Sequence, residues 1–157
     1  MTPSIVPATV FADRKITTGA RFVPAPPEDI FNLLAQPSMH RVIDGSDTVQ
    51  DARASGPERL SLGAKFGMDM KIGPVPYPMS STVSRFDEYE VIEWHHWGKH
   101  RWRYELEPVD GGTMVTESFD WAPAIMPAVF YQMVGYPDRH RSSIDKTLER
   151  LAKHFEK

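Results

Sequence analysis

The stretch Ala25-Pro26-Pro27-Glu28-Asp29-Ile30-Phe31-Asn32-Leu33-Leu34 decides how the rest of the chain is read. It closes one β-type run and opens a short helix. Proline is tolerated in a first helical turn, where its missing N–H would have no partner anyway, and Glu28 and Asp29 suit the positive end of the helix dipole. Ile30, Phe31, Leu33 and Leu34 give that helix an apolar face. Upstream, Lys15 to Val23 alternates as a strand does, with Ile16, Thr18, Ala20 and Phe22 on one side. Gly19 within it marks a bulge or tight curvature. Downstream, a second helical turn is expected over Ser38 to Ile43, after Pro37.

Beyond these helices the pattern turns strand-like. Thr48 to Arg53 and Leu60 to Ile72 read as strands parted by Ser55-Gly56-Pro57. In the second, Phe66, Met68, Met70 and Ile72 share a face, with Lys65, Asp69 and Lys71 opposite. Gly73-Pro74-Val75-Pro76-Tyr77-Pro78 reads as a stiff connection, because three prolines cannot donate to a ladder. Met79 to Phe86, Val91 to Trp97 and Arg101 to Glu107 follow as strands, and Asp110-Gly111-Gly112 turns into Thr113 to Trp121. Ala124 to Tyr136 is nearly all apolar and broken by Pro127 and Gly135. It reads as a gate over something, with Met126, Phe130 and Met133 at the entrance. Finally Asp138 to Glu156 reads as one long helix with Ile144, Leu148, Leu151 and Phe155 at helical spacing. This order predicts an α+β fold: an antiparallel sheet of six to seven strands curved round the terminal helix, with a cavity between.

At 157 residues the chain is expected to form one domain, residues 13–157, preceded by a loose arm over residues 1–12. A net charge of -3 gives no electrostatic footprint for nucleic acid. The absence of cysteine excludes disulfides and thiol chemistry and fits a reducing, cytoplasmic setting. Ile5 to Ala12 lacks a preceding basic residue and is too short to span a bilayer, so no membrane insertion is expected. No cofactor motif is present, and the expected state is a monomer or homodimer.

Three stretches together resemble the START-like (SRPBCC) superfamily of polyketide cyclases, dehydratases and lipid-transport proteins, which share the helix-grip fold. Ala25 to Leu34 looks like its opening strand-to-helix signature. Thr113-Met114-Val115-Thr116, after Asp110-Gly111-Gly112, looks like its final hairpin, and Ile144 to Phe155 looks like its terminal helix. One departure is that Arg41-Val42-Ile43-Asp44 stands where many members carry a tryptophan. The resemblance implies an internal cavity for a lipid, polyketide or aromatic compound.

Period-2 alternation nominates the residues of such a cavity. If Ile92 and Trp94 face the concave side, His96 does too, with Glu93 and His95 outward. Trp102, Tyr104 and Leu106 share a face on the next strand, and Glu117 turns inward with Val115, Phe119 and Trp121 on the last. The expected ligand-binding set is Phe66, Met68, Met70, Trp94, His96, Trp102, Tyr104, Glu117, Phe119, Met126, Phe130 and Met133. His96, Tyr104 and Glu117 form its polar cluster, suited to orienting an apolar ligand. A buried carboxylate beside an imidazole could instead transfer protons, which makes His96 and Glu117 a candidate acid–base pair of a cyclase- or dehydratase-like enzyme. The two could also simply hydrogen-bond each other or the backbone. A third reading is a protein-interaction module that docks a partner on the exposed sheet edge and Ala124 to Tyr136. No metal is expected, since His95 and His96 face opposite ways and no ligand motif is present. His40, His140 and His154 read as surface or helix-end residues.

Overall fold

The computed structural model describes residues 4–46, 49–52, 56–72, 74–96, 99–122 and 136–156. The strands are β1 (Ile5–Phe11), β2 (Ile16–Val23), β3 (Val49–Ala52), β4 (Lys65–Ile72), β5 (Val75–Asp87), β6 (Val91–His95), β7 (Arg101–Val109) and β8 (Gly112–Asp120). The helices among the described residues are α1 (Pro27–Leu34), α2 (Pro37–Ile43) and α3 (Tyr136–Phe155). All eight strands form one antiparallel sheet in the order β1-β2-β8-β7-β6-β5-β4-β3. The α1–α2 pair carries the chain from β2, next to one edge, to β3 at the other. The expected α+β architecture with a terminal helix is what forms, with one strand more than the six to seven anticipated.

That extra strand lies in the supposed loose arm. Ile5–Phe11 pairs with β2, and its register slips between Val6 and Thr9, around Pro7. At the slip the Ala8 N–H turns to α3 and donates to Asp145 Oδ1 at 2.8 Å. A helix side chain thus satisfies the donor that the ladder loses. Gly19 of β2 lies beneath it. A Cβ at that position would stand 2.9 Å from the Ala8 backbone, so the glycine is required by close approach of β1.

Two other boundaries moved. The proline-rich link of residues 73–78 is largely strand: β5 begins at Val75, with Lys71 opposite Pro76 and Asp69 opposite Pro78. Among the described residues β6 pairs with β5 only from Thr82 onward, so both prolines sit where that side of β5 has no ladder to lose. The terminal helix begins at Tyr136 rather than Asp138, and Pro137 falls in its first turn.

Helix α3 lies against β1, β2, β8 and α2. Its Ile144, Leu148, Leu151 and Ala152 are buried together with Ile30, Phe31 and Leu34 of α1, with Val23, Val115 and Phe119 of the sheet, and with Trp121 just after β8. The same core cluster runs on through Leu106 of β7, Ile92 of β6, Val83 of β5, and Phe66 and Met68 of β4. Between α3 and the β4–β7 part of the concave face a space is left unfilled.

Candidate functional site

An interior cavity of about 830 Å³ occupies that unfilled space. Its sheet wall is Phe66, Met68 and Met70 from β4, then Tyr77, Met79 and Ser81 from β5. Trp94 of β6, His96 and His100 just beyond it, Trp102 and Tyr104 of β7 and Glu117 of β8 continue the wall. His40 and Ile43 of α2 cover it on one side, and Arg139, His140, Ser143 and Thr147 of α3 on another. Strict alternation puts these strand residues on one face. Eight of the nominated residues therefore line one space. Phe119 is fully buried just behind, its ring centroid 4.1 Å from that of His140 and 4.9 Å from that of Trp102. Met126, Phe130, Met133 and the rest of the expected gate before Tyr136 lie outside the described residues.

The turn after α2 is locked against α3. The Gly45 N–H donates to Thr147 Oγ1 at 2.8 Å, and a Cβ on Gly45 would come within 2.5 Å of Lys146 Cβ. Beside it, Asp44 accepts from the Ser46 hydroxyl at 2.6 Å and the Val49 N–H at 3.0 Å. These contacts fix the rim that Asp44 and Ser46 contribute.

The expected polar cluster is divided into two poles. Tyr104 OH donates to Glu117 Oε1 at 2.9 Å, whereas His96 Nδ1 bonds Ser81 Oγ at 2.7 Å. The anticipated acid–base pair is thus not a hydrogen-bonded pair, because each member has a different neighbour in register: Tyr104 stands opposite Glu117 on adjacent strands. Glu117 Oε2 has no hydrogen-bond partner among the described residues. Burial pushes the Glu117 carboxyl well above the ordinary carboxylate range. Tyr104's hydrogen bond pulls it the other way, while the charges of Asp44 and Asp145 push it further up. Burial and the facing carboxyl likewise raise Tyr104.

The other pole is a histidine cluster, and only His96 of it was nominated. His96 and His100 have ring centroids 5.1 Å apart, and His140 packs edge-on to Trp102 at 4.9 Å. Burial, reinforced by neighbouring positive charges, lowers His96 to about 3, His100 to about 4 and His140 to about 3. All three are neutral at pH 7. Expected at the surface or a helix end, His140 turns inward because it continues the α3 stripe through Ile144 and Leu148, a signal already present at i, i+4 spacing. His40 is also buried, stacked on Trp94 at 4.9 Å, with Nε2 donating to the Leu34 carbonyl at 2.8 Å. It shares a face with Ile43 three residues on. His100 stands in a loop, where no periodicity announces it. Among the described residues no three His, Cys, Asp or Glu side chains are disposed to hold a metal ion. Nor is any described helix long and apolar enough to cross a membrane.

An antiparallel sheet curved over a long terminal helix, with a cavity held between them, defines the START-like helix-grip proteins, and this chain has their fold. Among solved structures it is similar to protein Ms6760 of Mycobacterium smegmatis, with a TM-score of 0.65 at 18% identity over 96% of this chain and 99% of that one. An AHSA1-like protein of Aeromonas hydrophila gives 0.63 at 16% identity, over 90% and 95% of the two chains. A polyketide_cyc-like protein of Corynebacterium glutamicum gives 0.61 at 19%, over 88% and 90%. By sequence the chain is similar to the uncharacterized protein Rv0088 of Mycobacterium tuberculosis, 37% identical over 137 residues, which are 85% of this chain. The chain spans 61% of the length of that relative. No family model matches it.

Proposed function

We propose that this protein binds a hydrophobic small molecule, a lipid, polyketide or aromatic compound, between its sheet and its terminal helix. The observation that carries this reading is the cavity of about 830 Å³, walled by aromatic rings and three methionines with a few buried polar groups. Its size is within the roughly 300–1,000 Å³ of small-molecule sites, and that lining is what such sites use to hold and orient a ligand. Methionine's flexible thioether adapts to guests of varied outline. The name polyketide_cyc-like, borne by the Corynebacterium glutamicum structure, agrees with a polyketide guest. Trp94 and Trp102 line the cavity, so their fluorescence should change saturably when long-chain or polycyclic compounds are added. Native mass spectrometry of protein from its own host should find a co-purifying small molecule. Silence in both, across a broad ligand panel, would overturn the reading.

A further inference from the structure

The Tyr104–Glu117 pole narrows the guest's chemistry, and the narrowing rests on the cavity being a binding site. Glu117 is 2% exposed and Tyr104 5%, yet both line the cavity. A carboxyl so placed can bond at both oxygens, and among the described residues only Oε1 is engaged. Among the described residues Thr17 Oγ1, His95 Nδ1 and Trp121 Nε1 are buried without a partner too, but none of those residues lines the cavity. Leaving a buried polar atom unpaired is costly, so a guest that supplies the partner gains affinity there.

The direction of the Tyr104 bond says which partner fits. Tyr104 donates to Oε1, which is therefore the accepting, carbonyl-like oxygen. In the neutral acid the proton then sits on Oε2, and Oε2–H is a donor in search of an acceptor. Asp44 and Asp145 set a negative field around this pole, which repels an anion. We infer that the guest is a neutral molecule with a hydrogen-bond-accepting oxygen, a ketone, lactone or hydroxyl, seated against Glu117, and that carboxylate guests are rejected at that end.

Three naphthalenes of similar outline separate the possibilities: 2-acetylnaphthalene, 2-ethylnaphthalene and 2-naphthoate, titrated by calorimetry at pH 7. The ketone should bind about tenfold more tightly than the hydrocarbon, the worth of one well-made buried hydrogen bond, and the anion most weakly. Glu117→Gln should keep the preference for the ketone, because the amide still donates from the Oε2 position and still accepts from Tyr104. Glu117→Leu should abolish it. In infrared spectra the wild type should carry a protonated-carboxyl band that Glu117→Gln lacks. Equal binding of ketone and hydrocarbon, tighter binding of the anion, or an ionised Glu117 would each overturn this inference while leaving the cavity reading intact. Failure of all three compounds to bind would also overturn this inference, whereas the cavity reading falls only if the broad ligand panel is silent too. Should Glu117→Leu not fold, the ratios in wild type and Glu117→Gln decide the matter.

Discussion

Glu93 and Glu117 are both buried carboxylates, on the two strands that flank β7, and they face opposite sides of the sheet. Consecutive residues of β7 serve them: Arg103 stands opposite Glu93, and Tyr104 stands opposite Glu117. On the convex side Glu93 takes Arg103 at 3.0 Å, Arg101 at 3.4 Å and the Ser84 hydroxyl at 2.8 Å, and Arg103 continues to Glu105 at 2.8 Å. Glu93 was expected to face out. It does, but the arginines cover it to 4% exposure. On the concave side Glu117 has, among the described residues, one neutral donor and an unengaged oxygen. One residue type at similar burial thus plays two parts. The convex carboxylate is matched in charge and hydrogen bonds and holds strands together. The concave one is left incomplete beside an open space.

If this contrast is right, the convex network should be the costlier to disturb. Arg103→Leu leaves Glu93 buried with a half-exposed Arg101 and one hydroxyl, so stability should fall by about 3 kcal/mol, the lower end for removing one partner of a buried pair. Urea unfolding at neutral pH measures it, and a loss under about 1 kcal/mol would show that the network is only a surface arrangement.

Titration sharpens the concave half. His40, His96, His100 and His140 are all held below their ordinary values, so from about pH 6.5 down to about 4 the unfolded chain binds protons that the folded one refuses. Stability must then rise with pH across that window and be lost as pH falls, by about 1.4 kcal/mol per pH unit for each histidine fully in play. Glu117 acts with the opposite sign. Its raised value holds a proton that the unfolded chain releases, so its contribution is present at low pH and lost as pH rises above the ordinary carboxylate range. Four histidines outweigh one carboxyl, and the slope between pH 4.5 and 6.5 should be positive. His140→Phe, which suits the Phe119 and Trp102 surroundings, should flatten it by about one histidine's share.

The smallest effect on stability is expected where the comparison predicts a functional part. Replacing Tyr104 and Glu117 together by Phe and Leu removes donor and acceptor at once, which is nearly neutral when shape is kept, so stability should change by less than about 1 kcal/mol. The ketone preference should nevertheless vanish. A loss as large as that of Arg103→Leu would mean that the concave pair is structural as well.

Periodic segments carried most of the fold into view. The α1 signature, the Phe66–Met68–Met70 face and the Ile144–Leu148–Leu151 stripe each repeat often enough to fix a face, and all proved buried or cavity-lining. What escaped was decided by partners distant in sequence. Ile5–Phe11 has weak alternation and a proline, and it becomes a strand because β2 and Asp145 receive it. The prolines of β5 discourage a strand until the absence of a neighbour on one side is known. In the site, alternation found Glu117 and Tyr104, but only register could say that they bond each other and not His96. His140 could have been read by carrying the terminal stripe back one turn.

The prolines of β5 have a consequence for the protein's behaviour in a crowded solution. Residues 75 to 81 border the cavity with Tyr77 and Met79 while one side of their backbone is unladdered among the described residues. An apolar strand with an open side is an invitation to fibrous self-assembly. Pro76 and Pro78 have no N–H to offer an incoming chain, so the stretch can be greasy enough to frame a cavity and still refuse to seed aggregates.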